Sequence, residues 1–290
     1  MLIRNTALRR SQGASGVFET GRGPRTCAKG APVIQRSIKH SLIVLPKRLN
    51  REVNVLRRLK HPNVAQFYGI AFHQGRRPSV VMKWYERGTT PDYLKSQPDV
   101  DRMGLIRDVA KGLEYLHTLE PPVVHGDLKG SNTLVDEDGR VVLSDFGLSK
   151  VLEEVSGPSG FTTTQPGGSI RWLAPEFLFD PDKDPDSDSG NPEPAVGCTT
   201  AGDIWALASV AYEFISGIYP YGDEKFDWNV IQAISKGRTP VRTVDTWLLE
   251  SVDVLDVLKK CWAQDPAQRP RIRDVCQMFS LCEMVPRKAS

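Results

Sequence analysis

The stretch His125-Gly126-Asp127-Leu128-Lys129-Gly130-Ser131-Asn132, followed by Ser144-Asp145-Phe146-Gly147, decides the reading of this chain. Between the two pieces lie Thr133-Leu134-Val135 and Val141-Val142-Leu143, with Asp138-Gly139 separating them. Two short apolar runs around Asp-Gly read as a tight antiparallel hairpin. Asp127 and Asn132 therefore share one loop, and the hairpin returns Asp145 to their side.

The residue types at this spacing suit one chemistry. Phosphoryl transfer needs a carboxylate near the attacking hydroxyl, oxygen ligands that hold Mg²⁺ against the phosphates, and a cation near the developing charge. Magnesium takes oxygen donors and keeps waters, so one Asp and one Asn suffice beside phosphate oxygens. Asn132 alone would be uninformative, because Asn is common in turns. His125 reads as a packed histidine.

Working outward, Leu49, Val53, Leu56 and Leu59 recur at helical spacing, with His61-Pro62-Asn63 as the stop. The apolar runs 64–72 and 79–85 flank a Gln-Gly-Arg-Arg-Pro turn and read as a hairpin. Residues 101–117 form a second amphipathic helix, with Ile106, Val109, Leu113 and Leu116 on one face. Residues 150–170 are rich in Gly, Ser, Thr and Pro and read as a loop. Residues 180–200 are acidic and Pro-rich and read as a solvated insertion, a possible docking surface for partners. Residues 203–214 are apolar on nearly all sides, which places that helix at the centre of a domain. The remainder, to about residue 285, is helical.

Composition bounds the rest. The 290 residues are 40% hydrophobic and 25% charged with a net charge of +3. A disordered or fibrous chain is excluded, and nucleic-acid binding by bulk charge is not expected. Five scattered cysteines without zinc spacing suit a reducing compartment. The longest apolar stretch, 204–215, contains Ser209 and Glu213 and is too short for a bilayer, so no membrane role is expected. No apolar signal core follows Met1, and organelle targeting by the basic first thirty residues ranks behind a poorly specified terminus. The expected location is cytoplasmic or nuclear, and the expected state is a monomer.

These motifs resemble the eukaryotic protein kinases, and within them the tyrosine-kinase-like group, over residues 47–282. The resemblance implies an α+β fold of two lobes, a small β-rich one with one helix and a larger helical one. Residues 1–45 would be a poorly specified or degraded segment bearing the first strands, 46–86 the rest of the small lobe, and 87–285 the large lobe. MgATP would bind between the lobes. Carried over by position, Asp127 resembles the catalytic base and Lys129 the lysine that steadies the transferred group. Asn132 and Asp145 resemble the metal ligands. Phe146 resembles the aromatic that packs against His125 and Leu56. Residues 168–176, ending Ala174-Pro175-Glu176, resemble the close of an activation segment. Asp203 would cap loop amides, and Arg269 would pair with Glu176. Residues 81–88 resemble the hinge, with Met82 behind the adenine and backbone groups of Lys83, Trp84 and Tyr85 at its edge. Glu52 resembles the helix glutamate, for which Lys39 is the candidate partner. Gly13-Ala14-Ser15-Gly16-Val17-Phe18 is the candidate Gly-rich loop.

Asp127-Leu128-Lys129 with Asn132 resembles the serine/threonine-specific loop more than the tyrosine-specific one. The implied activity is transfer of the γ-phosphoryl group of ATP to protein Ser/Thr hydroxyls. Two rivals stay open: an inactive scaffold, motivated by the atypical start, and a small-molecule phosphotransferase, motivated by His-Gly-Asp. Gly126 stands where most such kinases carry the arginine that binds an activation-loop phosphate. Activity is therefore expected not to depend on phosphorylation of Thr162, Thr163 or Thr164.

Overall fold

The computed structural model describes residues 2–4, 15–18, 26–29, 56–73, 77–145, 169–178, 198–241 and 252–282. Lys39, Glu52, Phe146, Thr162 to Thr164, the start of the first helix and nearly all of the acidic insertion lie outside them. The chain divides into two compact units, with the first crossing between Glu86 and Arg87.

The first unit holds a five-stranded sheet in the order β2-β3-β1-β5-β4. Its strands are β1 (Leu2–Arg4), β2 (Ser15–Phe18), β3 (Thr26–Lys29), β4 (Phe67–His73) and β5 (Arg77–Met82). The hairpin read from the apolar runs is β4–β5, antiparallel, with a register shift between Phe67 and Gly69. Its strands are shorter than the runs at the outer ends. Val64 is taken up instead by a turn in which its amide donates to the His61 carbonyl at 3.1 Å. β1 lies parallel to β3 and antiparallel to β5. Residues 56–58 are helical, and Leu56 and Leu59 are buried, as their spacing requires.

The second unit is mainly helical. It contains α1 (Thr90–Ser96), α2 (Arg102–His117), the hairpin β6 (Thr133–Val135) with β7 (Val141–Leu143), α3 (Thr200–Ser216), α4 (Asp227–Ser235), α5 (Val252–Cys261) and α6 (Ile272–Leu281). Asp101 starts α2 by accepting the Gly104 amide at 2.9 Å, which satisfies one orphan donor of the first turn. Thr199 does the same for α3 through Gly202, and Gly217, at φ 74°, ends it in the left-handed conformation that glycine tolerates.

Helix α3 is the core of this unit. Trp205, Leu207, Val210, Tyr212 and Phe214 are fully buried, as the all-round apolar pattern demands. Helix α2 packs on α3 and also receives α6, where Arg107 donates to the carbonyls of Phe279 and Cys282. The α+β class read from the sequence is the class observed. Among the described residues no helix is long and apolar enough to cross a membrane.

Candidate functional site

The loop 125–132 hangs on one buried carboxylate. Asp203, in the first turn of α3, accepts the His125 amide at 2.7 Å and the Gly126 amide at 2.9 Å. It also holds His117 Nε2, from the end of α2, at 2.8 Å. Gly126 turns at φ 74°. A Cβ there would stand 3.0 Å from Cys198 Sγ and 3.2 Å from Cys198 Cβ, so the neighbouring chain fills the space a side chain would need.

Asp127 follows and gathers three side chains. Lys129 Nζ donates to Asp127 Oδ1 at 3.0 Å and Oδ2 at 2.8 Å, and to Ser169 Oγ at 2.7 Å. Ser169 donates to Asp127 Oδ1 at 2.9 Å. Asn132 Nδ2 donates to Asp127 O at 2.7 Å and Oδ2 at 2.9 Å. The carboxylate is partly exposed, so it meets solvent while three donors fix its plane.

The β6–β7 hairpin joins this loop to Asp145. Both the amide and the hydroxyl of Ser144 donate to the Asn132 carbonyl, at 2.9 and 3.0 Å. Asp145 then adopts φ 61°, the left-handed region that few non-glycine residues other than Asn and Asp enter. Burial lowers the pKa of His125, and the charges of Asp203, Asp127 and Asp145 oppose that shift. All three carboxylates thus act on one imidazole.

The donor set fits a hard cation. Asn132 spends Nδ2 on Asp127, so its Oδ1, with the Asp145 carboxylate, could serve as oxygen ligands to an ion. Among the described residues no group of three or more His, Cys, Asp or Glu side chains could hold a metal, so an ion between Asp145 and Asn132 would complete its shell with phosphate and water oxygens.

A platform stands beside the loop. Arg269 donates from both Nη atoms to Glu176 at 2.7 Å and lies over the Trp205 ring. Arg171 donates to the carbonyls of Pro220, Tyr221 and Glu224. Trp172 Nε1 donates to Glu213 Oε2 at 3.1 Å, and the Gly130 amide donates to the same oxygen at 3.2 Å. Ser169, Glu213 and His117 carry contacts to which the sequence reading assigned no role. Ser169 lay inside a quoted motif, and Glu213 stood out as the acid in an apolar run.

In the other unit, Met82 is buried at the end of β5, with Leu2 and Phe67 as its neighbours on adjoining strands. The Lys83 amide donates to the Gln66 carbonyl at 3.0 Å, and Lys83 Nζ lies over the Tyr85 ring. Trp84 is half-buried and Tyr85 buried. The described strands of the sheet contain one lysine, Lys29, at the end of β3.

A family model described as protein tyrosine and serine/threonine kinase matches residues 17–279. A probable serine/threonine-protein kinase of Dictyostelium discoideum is 31% identical over 87% of this chain and 22% of its own length. The serine/threonine-protein kinase STY17 of Arabidopsis thaliana is 30% identical over 82% of this chain and 39% of its own. The serine/threonine-protein kinase TNNI3K of Mus musculus is 28% identical, over 80% and 26%. The chain thus spans less than half the length of each of these relatives.

Proposed function

The chain belongs to the protein tyrosine and serine/threonine kinase family, and on that premise we propose that it transfers the γ-phosphoryl group of ATP to serine or threonine hydroxyls of a protein substrate. The observation that carries the reading is the Asp127 carboxylate, held in one plane by Lys129, Ser169 and Asn132 while still reachable by solvent.

Asp127 accepts the proton of the attacking hydroxyl. Lys129 lies within 3.0 Å of both carboxylate oxygens and lends positive charge where the transferred group gathers negative charge. Asn132 and Asp145 would hold Mg²⁺, which neutralises phosphate charge when bound. Met82 and the backbone at Lys83, Trp84 and Tyr85 meet the adenine. Glu52 pairs with the strand lysine, proposed from the sequence as Lys39, and Lys29 of β3 is the second candidate. The name serine/threonine-protein kinase, borne by the relatives, supports the hydroxyl class. The Glu176–Arg269 platform favours a protein over a small molecule as acceptor.

The test is a phosphoryl-transfer assay on generic protein substrates with Asp127→Asn as control, beside thermal shifts with ATP and Mg²⁺. Transfer that the substitution abolishes supports the reading. Transfer unaffected by it removes Asp127 from the chemistry. A chain that neither binds nucleotide nor transfers phosphate is a scaffold.

A further inference from the structure

Glu213 is a carboxylate in the last turn of α3, the most apolar of the described helices, and its Oε2 takes hydrogen bonds from two different chain segments. One is the Gly130 amide of the loop that carries Asp127, Lys129 and Asn132. The other is the Trp172 indole of the segment that leads into Ala174-Pro175-Glu176. The residue at 130 is what permits this approach. A Cβ there would lie 2.5 Å from both carboxylate oxygens, so only glycine lets the acid reach the loop backbone.

We infer that Glu213 is a proton-sensitive positioning residue that keeps the 127–132 loop in register with the 170–177 platform, so that a protein substrate is engaged less well once Glu213 takes up a proton. This inference rests on the kinase reading for its consequence, but its physical core does not. An ionised oxygen accepts two donors well. A neutral carboxyl has a proton of its own to place in an apolar setting, and its hold on one segment or the other weakens.

The surroundings leave the group free to titrate near neutrality. Burial pushes the Glu213 carboxyl up to about 7, while the Trp172 and Gly130 hydrogen bonds and the charge of Lys95, on α1, pull it back. Asp92 of α1 is held by Thr89 and Lys95, and the other charged groups on the packed elements are engaged elsewhere or exposed. Helix α2 brings Arg102, which donates to the Phe214 carbonyl, and His117, which is held by Asp203. Lys129 is turned to Asp127 and Ser169, and Arg171 to backbone carbonyls. Helix α5 brings exposed Lys259 and Lys260 and the Cys261 thiol, which burial keeps protonated. The turn 266–268 leads to Arg269, which is bound to Glu176.

Two measurements test this on the full chain. The first follows the indole Nε1–H resonance of Trp172 in ¹⁵N-labelled protein, assigned with Trp172→Phe, from about pH 6 to pH 8.5. The expected result is a shift with a midpoint near 7. A resonance that does not move across that range overturns the inference. The second compares kcat/KM for a peptide substrate against pH in the wild type and in Glu213→Gln. The expected wild-type curve has an acidic limb, carried mainly by peptide KM, that is missing in Glu213→Gln, whose peptide KM is raised about tenfold at alkaline pH. The same limb in both proteins overturns the inference. If the wild type transfers no phosphate at any pH, the kinase reading fails, and the indole titration alone decides whether Glu213 is the proton-sensitive link.

Discussion

Arg269 closes on Glu176 with both guanidinium nitrogens, at 2.7 Å each, joining the turn after α5 to the end of the segment beside the loop. The Arg269 side chain is fully buried, and its remaining donors go to the carbonyls of Ala201, Ala263 and Gln264. A buried cation so completely satisfied becomes costly when its partner is removed.

Glu176→Ala and Arg269→Ala should each therefore destabilise the chain by about 3–5 kcal/mol, because either leaves charge or carbonyls uncompensated in the interior. Chemical unfolding checks this. The double replacement should cost less than the sum of the two.

The loop chemistry gives a second expectation. Asp127→Asn should lower phosphoryl transfer by about 10²–10⁴-fold, the usual worth of a positioned general base. The unfolding midpoint should move little, since an amide oxygen still accepts from Lys129 and Asn132. Steady-state kinetics beside a thermal melt separates the two effects.

Gly126 carries a third. Its φ of 74° and the Cys198 sulfur 3.0 Å from a built Cβ leave no place for an arginine. Replacing Thr162, Thr163 and Thr164 together by alanine should leave transfer activity standing, and Gly126→Arg should destabilise by at least about 1–2 kcal/mol from the left-handed backbone alone. Activity abolished in a folded triple-alanine protein would refute the first part. An unchanged melt would refute the second.

Stability should also report Glu213. Its folded pKa is raised from 4.5 to about 7, so between those values the folded state binds the proton and the unfolded state does not. Stability from this group is present at acid pH and is lost as pH rises through 7. Taking the wild type from pH 8 to pH 5.5 should therefore gain about 2 kcal/mol relative to Glu213→Gln. His125 works the other way: its pKa is depressed by burial, so its share of stability is lost as pH falls below 6.5. That share is common to both proteins and cancels in the difference between their unfolding curves.

The strand lysine can be found by substitution. Lys29→Met and Lys39→Met should differ in the thermal shift that ATP and Mg²⁺ produce, with the shift lost in the variant that removes the phosphate contact. Shifts equal to the wild type's in both variants would exclude both residues.

Some of this was legible in the chain itself. Helix α2 followed from apolar periodicity, α3 from its being apolar on nearly all sides, and the β6–β7 hairpin from Asp-Gly between apolar runs, because local pattern fixes what is buried. The strands within residues 1–45 were not legible, since that segment shows no period. β2 and β3 pair locally, but β1 reaches far along the chain, Leu2 pairing with Met82.

The amino-acid sequence alone put forward the side chains proposed for the chemistry, because Asp127, Lys129, Asn132 and Asp145 fall on a loop and just after a hairpin whose geometry is local. Only the tertiary structure decided what holds them. Asp203 on the His125 and Gly126 amides was already implied by the family resemblance, but Ser169 on Asp127 and Glu213 between Gly130 and Trp172, which link residues dozens of positions apart, were not. Hydrogen bonds of that kind depend on how α3 and the platform pack around the loop, and no spacing rule along a chain encodes a distance across its core.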